Sequence, residues 1–530
     1  MYEEADIIIY GGTSAGIIAA VQAKILGKSV ILVSPDTHLG GLSVNGLGFS
    51  DTGNSKTIGG LAREFYHRLW LEYKKPETWK WEKPQDYANQ GQGHGAIDDE
   101  TGTAWCFEPR LAEKVFLDLL TEYHVEVRRG EYLNRSRGVV KEQNIIRSMA
   151  TLGGTVYRGK QFIDASYEGD LMAAAGVSYV LGRESNREFG EKWNGVQTGT
   201  FHHDHYFKQR IDPYVIEGDA ASGLLPLVDS EPPGEYGAAD RRVQAYCFRL
   251  CMTDHGGNLT PITRPDTYDP RVYELLGRLA RAGWNEYFNK YDRIPNRKTD
   301  TNNHGPVNFD YIGMSDDYAE ASYRRRLSIM AEHEQYQRGL LYFLRSDPRI
   351  PADVRDRHNA WGLAADEFTG NGNWPYQLYI REARRMRGEH VITEAEILGE
   401  APVRESVGMG SYHLDSHNTH RYVDAEGFVQ NEGDIGTPAP RPYAIHRMAL
   451  FPKKHECANL TVPVCLSATH STYGSIRMEP VFMILGQSAA AAAVLAADEN
   501  RPPQDLPYEP LKDMLIKAGQ ILNFPVEEEQ

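Results

Sequence analysis

The chain predicts an α/β protein, a parallel-sheet domain interrupted by a long mixed α/β insertion. Two observations carry this. Residues 6–10, 11–16, 17–26 and 29–33 read in turn as apolar strand, glycine turn, helix and apolar strand. Far downstream, residues 460–466 read as another buried strand and 479–497 as a long helix rich in alanine, so the first domain resumes after the insertion. A strand, turn, helix and parallel strand in this order form the Rossmann-like unit that cradles a dinucleotide pyrophosphate.

The glycine turn explains its own chemistry. Gly11 permits the tight turn, and Gly16 lets helix and strand pack closely. The helix start at Thr13, Ser14 and Ala15 offers free N–H groups and a positive dipole to phosphates. Thr13 stands where the fingerprint has its middle glycine. Ser34 stands where an acidic residue is expected after the second strand, so ribose recognition falls to a hydroxyl, to Asp36 or to backbone. A second glycine-rich stretch follows, with Pro35, His38, Gly40, Gly41, Leu42, Ser43, Gly46 and Gly48. A nicotinamide enzyme has no use for it. A flavoprotein does, because backbone must pass close to the ribityl chain and ring.

On these residues the chain resembles the FAD-dependent oxidoreductases of the two-dinucleotide-binding-domain flavoprotein superfamily. More narrowly, it is similar to a family marked by G-G-T-x-A-G, H-L-G-G, G-L-G-x-x-D-T-G-N and a late S-I-R-M-E-P-V-F-M-I-L-G-Q, which runs from Ser475 to Gln487. The resemblance implies FAD, a second cofactor turn at Ala165 and Ser166, and late contacts from Ser475, Ile476, Arg477 and Gln487. It also implies that the late helix aims its N-terminus at the flavin N1–C2 edge. His38 is offset from the glycine pair differently from the histidine that carries covalent FAD in succinate dehydrogenase, so the FAD is expected to be noncovalent.

The remaining chain follows in order. A helix over 57–73 comes after the flavin stretch, and residues 74–105 form a polar, aromatic excursion that is either a lid or a packed loop. Glu108-Pro109 opens a helix to about Tyr123, and strands follow between 125 and 146. The expected division is 1–180 for the first part of the FAD domain, 181–439 for the substrate domain, 440–505 for the return segment and 506–530 for a tail. Within the insertion, 243–252 reads as a strand and 322–344 as a helix with Leu327, Met330, Leu340 and Leu341 inward. In the return segment, 467–477 reads as a loop.

Four residues are candidates for the chemistry. His470 and Arg477 lie in the loop before the late helix, where few side chains can reach the reactive edge. His417 belongs to a polar run, 412–421, in which His413 and His417 share one face of an extended chain. Arg249 matches an arginine that the resembling family carries in this strand, which makes it an anchor for an anionic or hydroxylated substrate, with a structural ion pair as the alternative. No metal site is expected, because the histidines of 413–420 lack regular ligand spacing and 202–205 reads as a solvated loop. Cys247 and Cys251, four apart on a strand, lie roughly 13 Å from each other, too far for a disulfide.

Bulk properties narrow the classes. The net charge is −16 over 530 residues, which argues against nucleic acid and anionic membrane. No apolar stretch is long enough to span a bilayer, and five cysteines give no disulfide framework, so a cytoplasmic setting is expected. The function expected is FAD-dependent dehydrogenation or oxidation, with hydride passing from a small hydroxylated, carbohydrate-like substrate to flavin N5. A lyase or hydratase that keeps FAD, a flavin monooxygenase and a non-enzymatic electron carrier are the alternatives. The sequence names neither the electron acceptor nor the oligomeric state.

Overall fold

The computed structural model describes residues 1–524, so the last six residues of the expected tail lie outside the described part. Strand β1 (Tyr2–Tyr10), helix α1 (Ser14–Ile25) and strand β2 (Val30–Ser34) form the βαβ unit. Helices α2 (Gly60–Tyr73) and α3 (Pro109–Glu122) follow, then strands β3 (Glu126–Arg129), β4 (Val140–Glu142), β5 (Ile145–Ala150) and β6 (Val156–Asp164). Within the insertion, helix α4 spans Tyr323–Ser346. The chain returns to the sheet as β7 (Leu460–Thr461), then helices α5 (His470–Ile476) and α6 (Glu479–Glu499).

The sheet runs β3-β2-β1-β6-β5-β4, with β7 also paired to β6. Strands β3, β2, β1, β6 and β7 are parallel, whereas β4 and β5 form an antiparallel meander on the first half of β6. Both faces are covered. Ile7 and Ile9 of β1 enter the large core with α1 and α6, and Ile8 and Tyr10 enter the core on the opposite face. A strand buried on both faces must be apolar throughout, which is why 7–10 shows no polar alternation. The large core runs without a break from this sheet into the insertion, through Phe248, Tyr336 and Leu414.

Several elements differ from the sequence reading. The ladder at 460–466 is only Leu460–Thr461. The stretch 243–252 pairs as a strand only from Leu250 to Thr253, inside a five-stranded antiparallel sheet. Upstream, its N–H groups go to scattered partners: Ala245 to the Asn418 carbonyl, Tyr246 to Ser315 Oγ and Phe248 to Gln337 Oε1. Residues 467–477 hold a helix where the sequence suggests a loop. Leu327 is exposed, on the solvent side of α4. The excursion at 74–105 is pinned, with the Trp81 indole donating to Asp366 and its backbone N–H to Asn296. Helix α6 is long and apolar enough to cross a membrane by composition, but 89% of that window is buried within the protein.

Candidate functional site

The glycine turn is held by contacts that its residue types require. Gly11 has φ +111°, and a Cβ there would lie 2.5 Å from the Ser166 backbone nitrogen. A Cβ on Gly16 would meet the Gly11 carbonyl at 2.0 Å. Thr13, the departure from the fingerprint, caps α1. Its hydroxyl accepts from the Gly16 N–H and donates to the Ala165 carbonyl at 2.7 Å, tying the first turn to the second. The N–H groups of Ser14 and Ala15 are fully buried and have no protein acceptor among the described residues. Buried donors without partners are costly, and an anion would satisfy them.

A second glycine stretch packs against the first. Gly41 has φ +62°, and a Cβ there would sit 2.1 Å from the Tyr167 hydroxyl. Gly40 donates to the Gly12 carbonyl, and Leu42 donates to the Tyr167 hydroxyl. Gly46 lies against the Arg249 carbonyl, and Gly48 against that of Phe107. Glu479, the first residue of α6, joins these parts. Its carboxylate accepts from Ser14 at 2.6 Å, from Ser43 at 3.3 Å and from Tyr167 at 2.5 Å. Burial raises its pKa to about 7, and those hydroxyls only partly offset the rise. The late motif contains Glu479, but its role is hidden in the sequence, because a glutamate in a helix-opening Glu-Pro pair reads locally as a helix start.

Beside the carboxyl ends of β1, β2 and β6 lies a cavity of about 250 Å³, lined among others by Tyr10, Pro35, Asp36, His38, Glu168 and Arg326. In a doubly wound sheet this crevice, where the connections diverge, is where a dinucleotide binds. Ser34 is spent locally, its Oγ accepting from the Asp36 N–H, so Asp36 is the residue left facing the cavity. Burial and the Glu168 charge raise Asp36 to about 7. His38 stacks on Tyr376 with ring centroids 3.5 Å apart and bonds Glu113 through Nδ1.

The late residues divide. Arg477 ends α5 two residues before Glu479. Its guanidinium donates to Asp415 Oδ2 at 2.6 Å and to the Tyr379 hydroxyl at 2.9 Å, while its Nε is buried without an acceptor among the described residues. The Ser475 hydroxyl is engaged by Tyr443 and the Tyr412 carbonyl, and Ile476 is fully buried. Gln487 does not lie at the turn. It sits two turns into α6, bonding Gln22, Gln520 and the Leu61 N–H, about 12 Å along the axis from Glu479. Its part is to fasten α1, α2 and the C-terminal segment.

His470 is in α5 and fully buried, not on a loop at an open edge. Its Nδ1 meets Glu382 Oε2 at 2.8 Å and its Nε2 meets Ser416 Oγ at 3.2 Å, so both ring nitrogens are occupied. Burial works to raise Glu382, but the facing His470 and Arg385 win and hold it at about 2.

His417 has a different setting. Its Nδ1 meets Asp310 Oδ2 at 2.6 Å, and Asp310 is itself held by Arg381 at 3.0 Å. Its Nε2 faces Asp415 Oδ2 at 3.8 Å, the oxygen that Arg477 binds. Burial, then the Arg381 charge, lowers His417 to about 4, so the ring is neutral near pH 7. Arg249 is not free to anchor a substrate through its charge, since it forms a bidentate pair with Asp300 at 2.8 and 2.7 Å, both partners buried. The guanidinium carbons of Arg381 and Arg477 lie 4.3 and 5.9 Å from the centroid of the Tyr379 ring. Asp310 and Tyr379 carry no sequence signal as site residues, because the insertion brings them together only in three dimensions.

The segment 202–205 is a loop that is only partly solvated, with His203 and Asp204 exposed. His205 is buried and lies 6.2 Å, ring to ring, from His417, and His203 approaches Asp434 and Asp415. The five cysteines are all buried and unbridged, Cys247 and Cys251 included.

A parallel sheet with crossover helices, a glycine turn whose buried N–H groups have no protein acceptor among the described residues, and a cavity at the strand ends define a dinucleotide-binding α/β protein. The family model of FAD dependent oxidoreductases matches residues 6–515, and the chain belongs to that family. It is an FAD-dependent oxidoreductase by family, with the mixed α/β architecture expected from the sequence. No curated protein matches the chain. Among solved structures it is similar to the anhydrotetracycline hydroxylase OxyS from Streptomyces rimosus, at 14% identity over 35% of this chain and 36% of that one, TM-score 0.22. It is also similar to thioredoxin reductase from T. acidophilum, at 19% identity over 36% and 41%, TM-score 0.18. A third is CabE, an aromatic hydroxylase from angucycline biosynthesis, at 16% identity over 34% and 35%, TM-score 0.24. The chain thus spans well under half the length of these structures.

Proposed function

We propose that the protein oxidises a small hydroxylated or carboxylated molecule held against Tyr379, Arg477, Asp415 and His417. One observation carries this, the 2.6 Å contact between His417 Nδ1 and Asp310 Oδ2. A carboxylate there accepts from Nδ1–H, fixes the tautomer and leaves Nε2 as the acceptor. Nε2 faces the Asp415–Arg477 pair, and Arg477 Nε remains as a donor for a substrate oxygen. In this reading Arg477 orients the substrate and His417 takes its hydroxyl proton.

FAD, when bound, supplies a two-electron acceptor. The residues suited to hold it are Gly11, Thr13, Ser14, Ala15 and Gly16 at the first turn, Pro35, Asp36 and His38 at the cavity, and Gly40 to Ser43 at the second stretch. The ring of His38, stacked on Tyr376 and bonded to Glu113, supports noncovalent binding. Acid precipitation should therefore release the flavin into the supernatant.

The test is an anaerobic screen of sugars, polyols and hydroxy acids for loss of flavin absorbance. At least one class should bleach the flavin, and its O-methylated analogue should not. Turnover of a compound with the flavin spectrum unchanged would sink the redox reading and favour a lyase or hydratase.

A further inference from the structure

From across the insertion, His203 approaches Asp415 of the polar run, and His203 and His205 both approach Asp434 beyond it. Asp434 Oδ1 lies 3.1 Å from His203 Nδ1 and 3.6 Å from His205 Nδ1. His203, His205 and Asp434 each offer one ligand atom, and these three fall within 4.8 Å of one another. Metal–ligand bonds of about 2.0–2.2 Å around a tetrahedral zinc ion set ligand–ligand edges of roughly 3.3–3.6 Å. The two Asp434–histidine separations, 3.1 and 3.6 Å, lie close to that range before any ion draws the groups together.

A second observation points the same way. Asp434 is 4% exposed, yet its Oδ2 is buried without a hydrogen-bond partner among the described residues. A buried carboxylate oxygen with no donor is costly, and a cation would satisfy it. The neighbourhood adds negative charge, since Asp415 Oδ1 stands 4.0 Å from His203 Nδ1 and 3.6 Å from His413 Nε2. Two imidazoles, one carboxylate and a second carboxylate nearby suit a borderline divalent ion with N and O ligands and an open position.

We propose that His203, His205 and Asp434 form a binding site for one divalent transition-metal ion of the zinc class, next to the Asp415–Arg477 pair. The site does not depend on the redox reading, because its readout is metal content. The paired use of His203 and His205, two positions apart, follows from left-handed backbone at His203 and Asp204, with φ 51° and 59°.

The experiment uses the full-length, flavin-loaded protein, stripped with a chelator and dialysed against Zn²⁺, with elemental analysis and calorimetry. One Zn²⁺ per chain is expected. Substitutions Asp434→Asn and His203→Ala should each weaken binding at least tenfold. His446→Ala, remote from the cluster, should leave it unchanged. Flavin content and melting temperature of each variant separate lost ligands from lost fold, and His203→Gln gives a second variant at the most exposed ligand. Co²⁺ substitution should give the intense visible bands of a four-coordinate site. No retained zinc, or zinc retained equally by the Asp434→Asn and His203 variants with their fold intact, would overturn the proposal.

Discussion

The Ser14 hydroxyl donates to Glu479 at 2.6 Å, which joins the first helix turn of the chain to the first residue of its last long helix across 465 positions. Glu479 therefore shares the α1 N-terminus with the donors suited to an FAD phosphate. Two anions there repel, so the flavin should bind better when Glu479 carries a proton.

This gives a pH prediction with a definite sign. The carboxyl rises from 4.5 to about 7 on folding, because burial disfavours its charge. Between those values the folded state holds a proton that the unfolded state has lost, so this group's contribution to stability falls as pH rises from about 4.5 to 7 and is level above that. FAD affinity should fall as pH rises through 7, by up to about tenfold per unit. Glu479→Gln should show a shallower fall between about 6 and 8.5, the remaining slope coming from Asp36, which burial and Glu168 also raise to about 7. Fluorescence titration of the flavin-free protein measures both. An equal slope in wild type and Glu479→Gln would show that another group controls binding.

Gly11→Ala should lose FAD and stability together. Its φ of +111° is unfavourable for alanine, and the new Cβ would meet the Ser166 nitrogen and the Ala165 carbonyl carbon at 2.5 and 2.6 Å. Both neighbours are backbone, so the two turns must separate, at a cost of about 1–3 kcal/mol. Thermal melts and flavin content per chain check this. Full flavin content at the wild-type melting temperature would mean that the two turns tolerate separation.

How much is legible follows from where each signal resides. The βαβ unit is readable because its apolar runs and glycines are local. Helix α4 is readable too, because its signals are local, and in the structure Ser322 caps it by accepting from the Arg325 N–H. Helix α5 is not readable. Its first N–H groups are taken by Glu184 Oε2 and Asn194 Oδ1, 286 and 277 residues away. Nothing within 467–477 announces a helix whose start is satisfied from outside. The same holds for the site. His417 stands out from its polar neighbours, but Asp310, which fixes its tautomer, and His205, which approaches it, come from remote parts of the insertion. The motif misplaces Gln487 because it gives order along the chain and not depth along a helix.

The last prediction separates two histidines that the sequence leaves equivalent. His470 has both nitrogens engaged, and its backbone N–H donates to Glu184. Removing its ring leaves the buried Glu382 carboxylate short of a partner, which costs about 1–3 kcal/mol. His470→Ala should therefore lower the melting temperature while its surviving folded fraction keeps flavin reduction within a few-fold of wild type. His417 is bonded at Nδ1 by Asp310 and faces Asp415 with Nε2. His417→Asn can keep a hydrogen bond to Asp310 but cannot accept the substrate proton near neutral pH. It should melt within a few degrees of wild type and lose about 10²–10⁴-fold in reduction rate. Anaerobic stopped-flow with a substrate from the screen measures both variants. The opposite pattern, with His417→Asn active and His470→Ala folded but unable to reduce its flavin, would return the proton-accepting role to His470, with Glu382 fixing its tautomer as Asp310 fixes that of His417.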